Sequence, residues 1–118
     1  MLNQTQREAI AAELVQADID RTILPRLTAR YDGMEVEDSY AIQKIWSDRR
    51  IAAGARLVGH KIGLTSKVMQ VATGISEPDY GVIHDDMVFE SGSVIEFDRF
   101  SNVRIEVELA FVLAKPLA

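Results

Sequence analysis

Glu106 and Glu108 are the residues whose types and spacing most directly suggest chemistry. They lie in Arg104-Ile105-Glu106-Val107-Glu108-Leu109-Ala110-Phe111-Val112-Leu113, where Ile105, Val107, Leu109, Phe111 and Leu113 recur at every second position. That alternation predicts a strand. It sends both glutamates to one face, at backbone positions roughly 6.6 Å apart, from which the side chains can bend toward one point. Two carboxylates converging on a point make half of a hard-cation site. The same pattern is also that of a half-buried strand with two solvated glutamates.

Lys61 is the second candidate. In Val58-Gly59-His60-Lys61-Ile62-Gly63-Leu64 it shares its strand face with Gly59 and Gly63. Glycines in a strand mark close approach by a ligand or another backbone, so a lysine between two bare positions has room beside it for a small molecule. A surface lysine in a flexible strand would look the same. Glu77, Asp79, Asp85 and Asp86 fall within a short span. Turns favour aspartate for backbone reasons, so these carboxylates need no catalytic explanation. His60 and His84 lack metal-type spacing and read as packed or surface histidines. Gly-x-Gly-x-x-Gly, P-loop and Gly-x-Ser-x-Gly motifs are absent, which leaves nucleotide binding and serine hydrolysis without support.

The elements that must position these residues run from helical to β-rich. A helix is predicted from Thr5 to about Leu24, with Thr5 and Glu8 as a capping box and Pro25 as its terminator. Residues 26–34 read as a connector with a turn at Tyr31-Asp32-Gly33. A second helix is predicted from about Ser39 to Ala53, with Asp38 as N-cap and Gly54 as stop. Trp46 and Tyr40 are expected in its core-facing surface. Both helices read as a cap or oligomer surface, not as a catalytic unit. Leu57–Leu64 reads as a strand, and a short helix capped by Thr65 or Ser66 should close at Gly74. Glu77-Pro78-Asp79-Tyr80-Gly81 reads as a loop. Val82-Ile83 and Met87-Val88-Phe89 read as short strands, and Ser91-Gly92-Ser93 as a turn. The switch near Arg56 divides the chain into an N-terminal helical region, 1–55, and a β-rich region, 56–118.

At 118 residues, the chain can form one modest domain. Its apolar runs are too short to span a bilayer, and no signal peptide is visible at Met1-Leu2-Asn3-Gln4-Thr5-Gln6. No membrane partner is expected. The absence of cysteine excludes disulfides, thiolate ligands and a cysteine nucleophile, and fits a cytoplasmic setting. A net charge of -5 argues against nucleic acid as a partner. An acidic substrate would need a local cation to overcome that field. The chain stops at Lys115-Pro116-Leu117-Ala118, directly after its strongest strand pattern, so an incomplete domain is expected.

Four motifs in order carry a resemblance. They are Gly59-His60-Lys61-Ile62-Gly63-Leu64-Thr65-Ser66-Lys67, Glu77-Pro78-Asp79-Tyr80-Gly81, Asp85-Asp86-Met87 and Arg104-Ile105-Glu106-Val107-Glu108-Leu109-Ala110-Phe111. Together they resemble the 2-oxopent-4-enoate hydratase/4-oxalocrotonate decarboxylase family, within the fumarylacetoacetate-hydrolase-like superfamily. The resemblance implies an α+β fold in which N-terminal helices precede the beginning of a mixed rolled β-sheet, here truncated. It makes residues 56–118 the first part of a catalytic domain. It also implies a divalent cation, Mg2+ or Mn2+, held by three acidic side chains. Glu106 and Glu108 map to two of them, and the third falls in a later segment. Val103, where relatives usually carry proline, and His84, where an apolar residue is more common, depart from the family pattern.

The implied substrate is a 2-hydroxy-2,4-dienoate, and the implied reaction is its hydration to a 4-hydroxy-2-oxo acid. Lys61 would carry a proton or anchor a carboxylate, with its pKa lowered by burial and the ion. Asp79 would orient water or Lys61. Without metal, Glu106 and Glu108 should repel, and at least one should resist ionisation if buried. A decarboxylase of the same family uses the same motifs, and a non-catalytic fragment or assembly module remains an alternative. Homo-oligomers, and association of a hydratase with a partner decarboxylase, are implied as partners.

Overall fold

The computed structural model describes residues 1–116. Helix α1, Gln4–Asp20, opens on Asn3. The Asn3 side chain accepts the Gln6 N–H at 2.9 Å, and Gln6 Oε1 accepts the Asn3 N–H at 3.0 Å. The capping box is therefore Asn3/Gln6 and not Thr5/Glu8. Its frame is held by Leu2, which is buried and gives its N–H to both carboxylate oxygens of Asp38. Pro25 does not end the helix either. Arg21 adopts a left-handed φ of 56°, and the Thr22 N–H returns to the Ala17 carbonyl at 2.9 Å. The chain has left the helix four residues before the proline acts.

A single 3-10 turn, Leu27–Ala29, leads toward α2, Val36–Ala52. This helix starts earlier than its pattern suggests. Glu35 is the N-cap, and Asp38 is the third helical residue, accepting the Glu35 N–H at 2.9 Å. Asp38 also takes two bonds from Arg7, at 2.9 and 2.7 Å. A fully buried carboxylate needs such partners. It ties the start of α1 to the start of α2. The core between the two helices is Leu2, Ile10, Ala11 and Ile42, flanked by Leu14, Leu27, Tyr31, Met34, Ile45 and Trp46. Complete burial of Ile10 contributes on the order of 2–3 kcal/mol.

Strand β1, Leu57–Gly63, pairs antiparallel with β2, Asp79–His84, in the one sheet among the described residues. Helix α3, Lys67–Thr73, connects them, with Ser66 as N-cap and Gly74 in the left-handed conformation at its end, as the residue pattern predicts. Register places Lys61 opposite Gly81 and Gly63 opposite Asp79. The loop expected through Gly81 is shorter, because Asp79 and Tyr80 already pair with β1. Asp85 closes the open end of the hairpin. Its carboxylate takes the Arg56 N–H and Nε at 3.0 Å each, while its own N–H bonds the Arg56 carbonyl at 2.9 Å.

Two predicted strands do not form. Asp85–Met87 is a 3-10 turn, and Val88–Phe89 carries no ladder. The stretch 104–113 also has no ladder partner among the described residues, and Val107 is 99 % exposed. Alternation creates an apolar face, but a strand exists only when another backbone takes its hydrogen bonds.

One stripe of α2 meets every second residue along and just beyond β2. Tyr40 stacks on Tyr80 with ring centroids 4.7 Å apart. Gln43 bonds the backbone of Tyr80 and Val82, Ser47 bonds His84, and Arg50 pairs with Asp86. The helical spacing of three to four residues rises about 5 Å per step, and two strand residues rise about 6.6 Å, so the two rows run nearly in phase.

Candidate functional site

Lys61 stands near the middle of β1 with its ammonium between two carboxylates. Nζ lies 3.0 Å from Glu106 Oε2 and 2.5 Å from Glu108 Oε1. Three of the four residues expected to do chemistry, Lys61, Glu106 and Glu108, are therefore brought together, across 45 and 47 positions of chain. Glu106 and Glu108 converge on one cation, as side chains two apart on an extended segment can. They do so without a sheet beneath them. All three side chains remain partly exposed.

The electrostatics of this trio differ from the sequence expectation. The hydrogen bonds from Lys61 to Glu108 and then Glu106 raise the lysine above its ordinary value, outweighing desolvation. The lowering expected for a buried Lys61 beside a cation concerns a different arrangement; here two anions stabilise a partly exposed ammonium. The Lys61 hydrogen bond likewise lowers Glu106. The glutamates are held together by the lysine between them, and Glu106 favours its ionised form.

Asp79 opens β2 opposite Gly63. A Cβ built on Gly63 would collide with Asp79 Oδ1 and lie 3.2 Å from its Cγ. The bare glycine is what lets the Asp79 carboxylate lie over β1. Gly59, its counterpart on the other side of Lys61, has nothing within 4 Å of such a Cβ. Lys61 and Asp79 both line an open cleft of about 950 Å³. The cleft is also walled by Glu37, Ser39, Tyr40 and Gln43 of α2, by Tyr80, and by Ile75 and Pro78. Helix α2 is thus a wall of the cleft, where the sequence pattern suggests a cap or oligomer surface and not a catalytic unit. Tyr40, expected in the core-facing surface, instead stacks on Tyr80 at the cleft, and Gln43 carries no expectation in the sequence. The signal that finds them is their three-residue spacing on the stripe facing β2.

The donor chemistry can be tested against a divalent cation. Two hard carboxylate oxygens already face one positive charge, which suits Mg2+ or Ca2+. Among the described residues no group of three His, Cys, Asp or Glu side chains could hold a metal. Asp85 and Asp86 are engaged by Arg56 and Arg50 and do not join the pair. Glu106 and Glu108 supply two of the three carboxylates that the family resemblance implies. Among the described residues no helix is long and apolar enough to cross a membrane.

No protein-family model matches the chain. Individual proteins do. The chain is 51% identical over 117 residues to 2-oxo-hept-4-ene-1,7-dioate hydratase of Escherichia coli, covering 99% of this chain and 44% of that protein. It is 42% identical over 112 residues to 2-keto-4-pentenoate hydratase of Paraburkholderia xenovorans, covering 95% and 42%. Among solved structures it is similar to 4-oxalocrotonate decarboxylase from Pseudomonas putida in complex with magnesium and adipate. That match has a TM-score of 0.70 and 29% identity, and covers 73% of this chain and 33% of the other. The same decarboxylase in complex with calcium and acetate matches equally well. The chain thus spans less than half the length of these two hydratases and one third of the decarboxylase. The helices followed by a two-stranded antiparallel sheet agree with the opening part of the expected α+β fold.

Proposed function

We propose, for a chain related along nearly its whole length to the 2-oxopent-4-enoate hydratase/4-oxalocrotonate decarboxylase family, that it supplies part of a metal-dependent hydratase site. The reaction is addition of water to a 2-hydroxy-2,4-dienoate of the 2-oxohept-4-ene-1,7-dioate type. The product is a 4-hydroxy-2-oxo acid, within aromatic-compound catabolism. The observation that carries this reading is the convergence of Glu106 and Glu108 on the Lys61 ammonium beside an open cleft. Residues 56–118 form the first part of the catalytic region, and 1–55 the helical region that walls it.

Glu106 and Glu108 would hold the cation, Mg2+ or Mn2+, with a third carboxylate from outside the described residues. A cation bound there would supply Lewis-acid chemistry to the substrate. Lys61 would anchor the substrate carboxylate or carry a proton during ketonisation of the dienol. Asp79, held over Gly63, orients the water that adds at the far end of the conjugated system. Two glutamates cancel one divalent ion, so an anionic substrate depends on Lys61 for part of its attraction. The assembly is a homo-oligomer in the cytoplasm, able to associate with a partner decarboxylase.

A decarboxylase acting on a 2-oxo-3-enedioate is the second reading, favoured by the structural neighbours that hold a divalent cation and a carboxylic acid. The test is magnesium- or manganese-dependent loss of the ultraviolet absorbance of a 2-hydroxydienoate, with products identified by mass. The 118-residue chain is run beside a form extended with the remaining segment of the Escherichia coli relative. A hydrated acid from the extended form supports the hydratase. Carbon dioxide release from a 2-oxo-3-enedioate, offered in a parallel assay, moves the chain to the decarboxylase. Silence in both forms removes the catalytic reading and leaves an assembly module.

A further inference from the structure

Gln43 bonds the β2 backbone on both sides of Gly81. Its Nε2 donates to the Tyr80 carbonyl at 3.3 Å, and its Oε1 accepts the Val82 N–H at 2.9 Å. Tyr80 and Val82 are two residues apart, so these groups point to the same edge of the strand. The other edge of β2 is occupied by β1. A neighbouring strand would bond the same two groups. The Gln43 amide therefore does the work of one peptide unit of a third strand, supplied by a helix.

The grip falls at a consequential place. Gly81 is the register partner of Lys61. One residue before it, the Tyr80 ring is stacked on Tyr40 at an interplanar angle of 13°. One residue before that is Asp79, lying over Gly63. All of these residues line the one cleft, on which Gln43 itself also opens. An apolar side chain of the same length at position 43 would leave the Val82 N–H and the Tyr80 carbonyl without protein partners, and the edge of β2 free to move.

We infer that Gln43 is a positioning residue, which clips the outer edge of β2 to α2 and so sets where Asp79 and Tyr80 stand relative to Lys61. The inference rests on the reading of Lys61 and Asp79 as substrate-facing groups. Gln43→Met keeps the length and deletes both bonds. Gln43→Glu keeps the acceptor for Val82 and loses the donor to Tyr80.

Both variants are compared with the unsubstituted 118-residue chain by three measurements: amide exchange at Val82, NMR shifts of the Tyr80 ring and the Asp79 carboxyl, and thermal melting. kcat and KM for a 2-hydroxydienoate are measured in the extended form. Gln43→Met is expected to speed Val82 exchange about 10-fold or more and to move the Tyr80 and Asp79 resonances. Its kcat should fall about 10-fold with KM little changed, because misplacement by a fraction of an ångström weakens orientation more than binding. Gln43→Glu should keep slow Val82 exchange and recover part of kcat. Unmoved resonances, or unchanged Val82 exchange in Gln43→Met, overturn the inference. Loss of kcat in step with loss of thermal stability in both variants also overturns it and leaves Gln43 a stability element. Moved resonances in Gln43→Met, beside an extended wild type without turnover, sink the hydratase reading while the positioning of the cleft wall stands.

Discussion

Ser47 Oγ lies 2.9 Å from Nε2 of His84, and both side chains are buried. The other ring nitrogen, Nδ1, is buried without a partner. A buried free acceptor is tolerated more often than a buried free N–H, so the favoured tautomer has Nε2–H donating to Ser47. That single bond, with the Trp46 ring packed edge-to-face at a centroid separation of 5.2 Å, holds the end of β2 against α2. Ser47→Ala leaves both ring nitrogens unpaired and should destabilise by about 1–3 kcal/mol. Ser47→Ala combined with His84→Leu removes the polar pair together and should cost less than the sum of the two single changes. Urea unfolding of the four species measures the coupling. Strictly additive losses would show that the bond contributes nothing.

Asp38 gives the fold an acid limit. Burial raises its pKa, but the N–H groups of Glu35 and Leu2 and the guanidinium of Arg7 more than reverse that, and the net shift is downward. A carboxylate lowered in the folded state contributes stability that is complete above its unfolded pKa, near 4. The contribution is lost as pH falls through the lower folded value. Stability should therefore be flat from neutrality to about pH 5 and decline from about pH 4 downward. Asp38→Asn should be less stable at pH 7 and show a shallower decline in acid. Urea midpoints between pH 2 and 7 decide this. An Asp38→Asn curve parallel to wild type throughout would remove Asp38 as the source.

Much of the arrangement around Lys61 was legible in the chain. Glycine, serine and threonine punctuation marks β1 and α3, because those residues act through local backbone geometry. The two-residue spacing of Glu106 and Glu108 permits their convergence, and the Lys61 ammonium draws them together. What the pattern could not specify was pairing. Residues 104–113 alternate like a strand, yet alternation says nothing about which backbone lies alongside. Asp79 looks like turn chemistry after Pro78, and only the register with Gly63 makes it part of β2. Gln43 and Ser47 look like solvated helix residues until β2 is known to pass them. Asp38 looks like an N-cap, and its burial comes from Arg7 and Leu2, more than thirty positions away.

Lys61 and the glutamates should respond oppositely to metal. A divalent ion between Glu106 and Glu108 competes with the Lys61 ammonium for the same oxygens. In the extended form, Mg2+ at about 100 times its dissociation constant should stabilise by about 2.7 kcal/mol. Glu106→Gln or Glu108→Gln should reduce that gain and raise the metal concentration required for turnover. Lys61→Ala should retain the metal response while turnover falls roughly 10²- to 10⁴-fold, the usual range for a lost proton carrier. Thermal melts with magnesium, manganese and a chelator, beside initial rates, separate the two roles. A melt indifferent to all three additions would count decisively against the metal site, and undiminished turnover in Lys61→Ala would sink the lysine's role.

The two glycines beside Lys61 look equivalent in the sequence and are not equivalent in space. A Cβ at Gly63 meets the Asp79 carboxylate, whereas a Cβ at Gly59 meets nothing within 4 Å. The obstructing atoms at Gly63 are the far end of a rotatable side chain, so alanine there can be accommodated by swinging the carboxylate aside. Gly63→Ala should thus leave stability within about 0.5 kcal/mol of wild type, as for surface substitutions that break no buried contact. It should nevertheless lower kcat of the extended form about 10-fold or more, because Asp79 no longer stands where water is oriented. Gly59→Ala should change neither. If Asp79 has no part in the reaction, Gly63→Ala and Gly59→Ala will turn over alike, and Asp79→Asn will match them. Parallel kcat measurements on the three variants therefore test the role of Asp79, with Gly63→Ala displacing its carboxylate while leaving its charge in place.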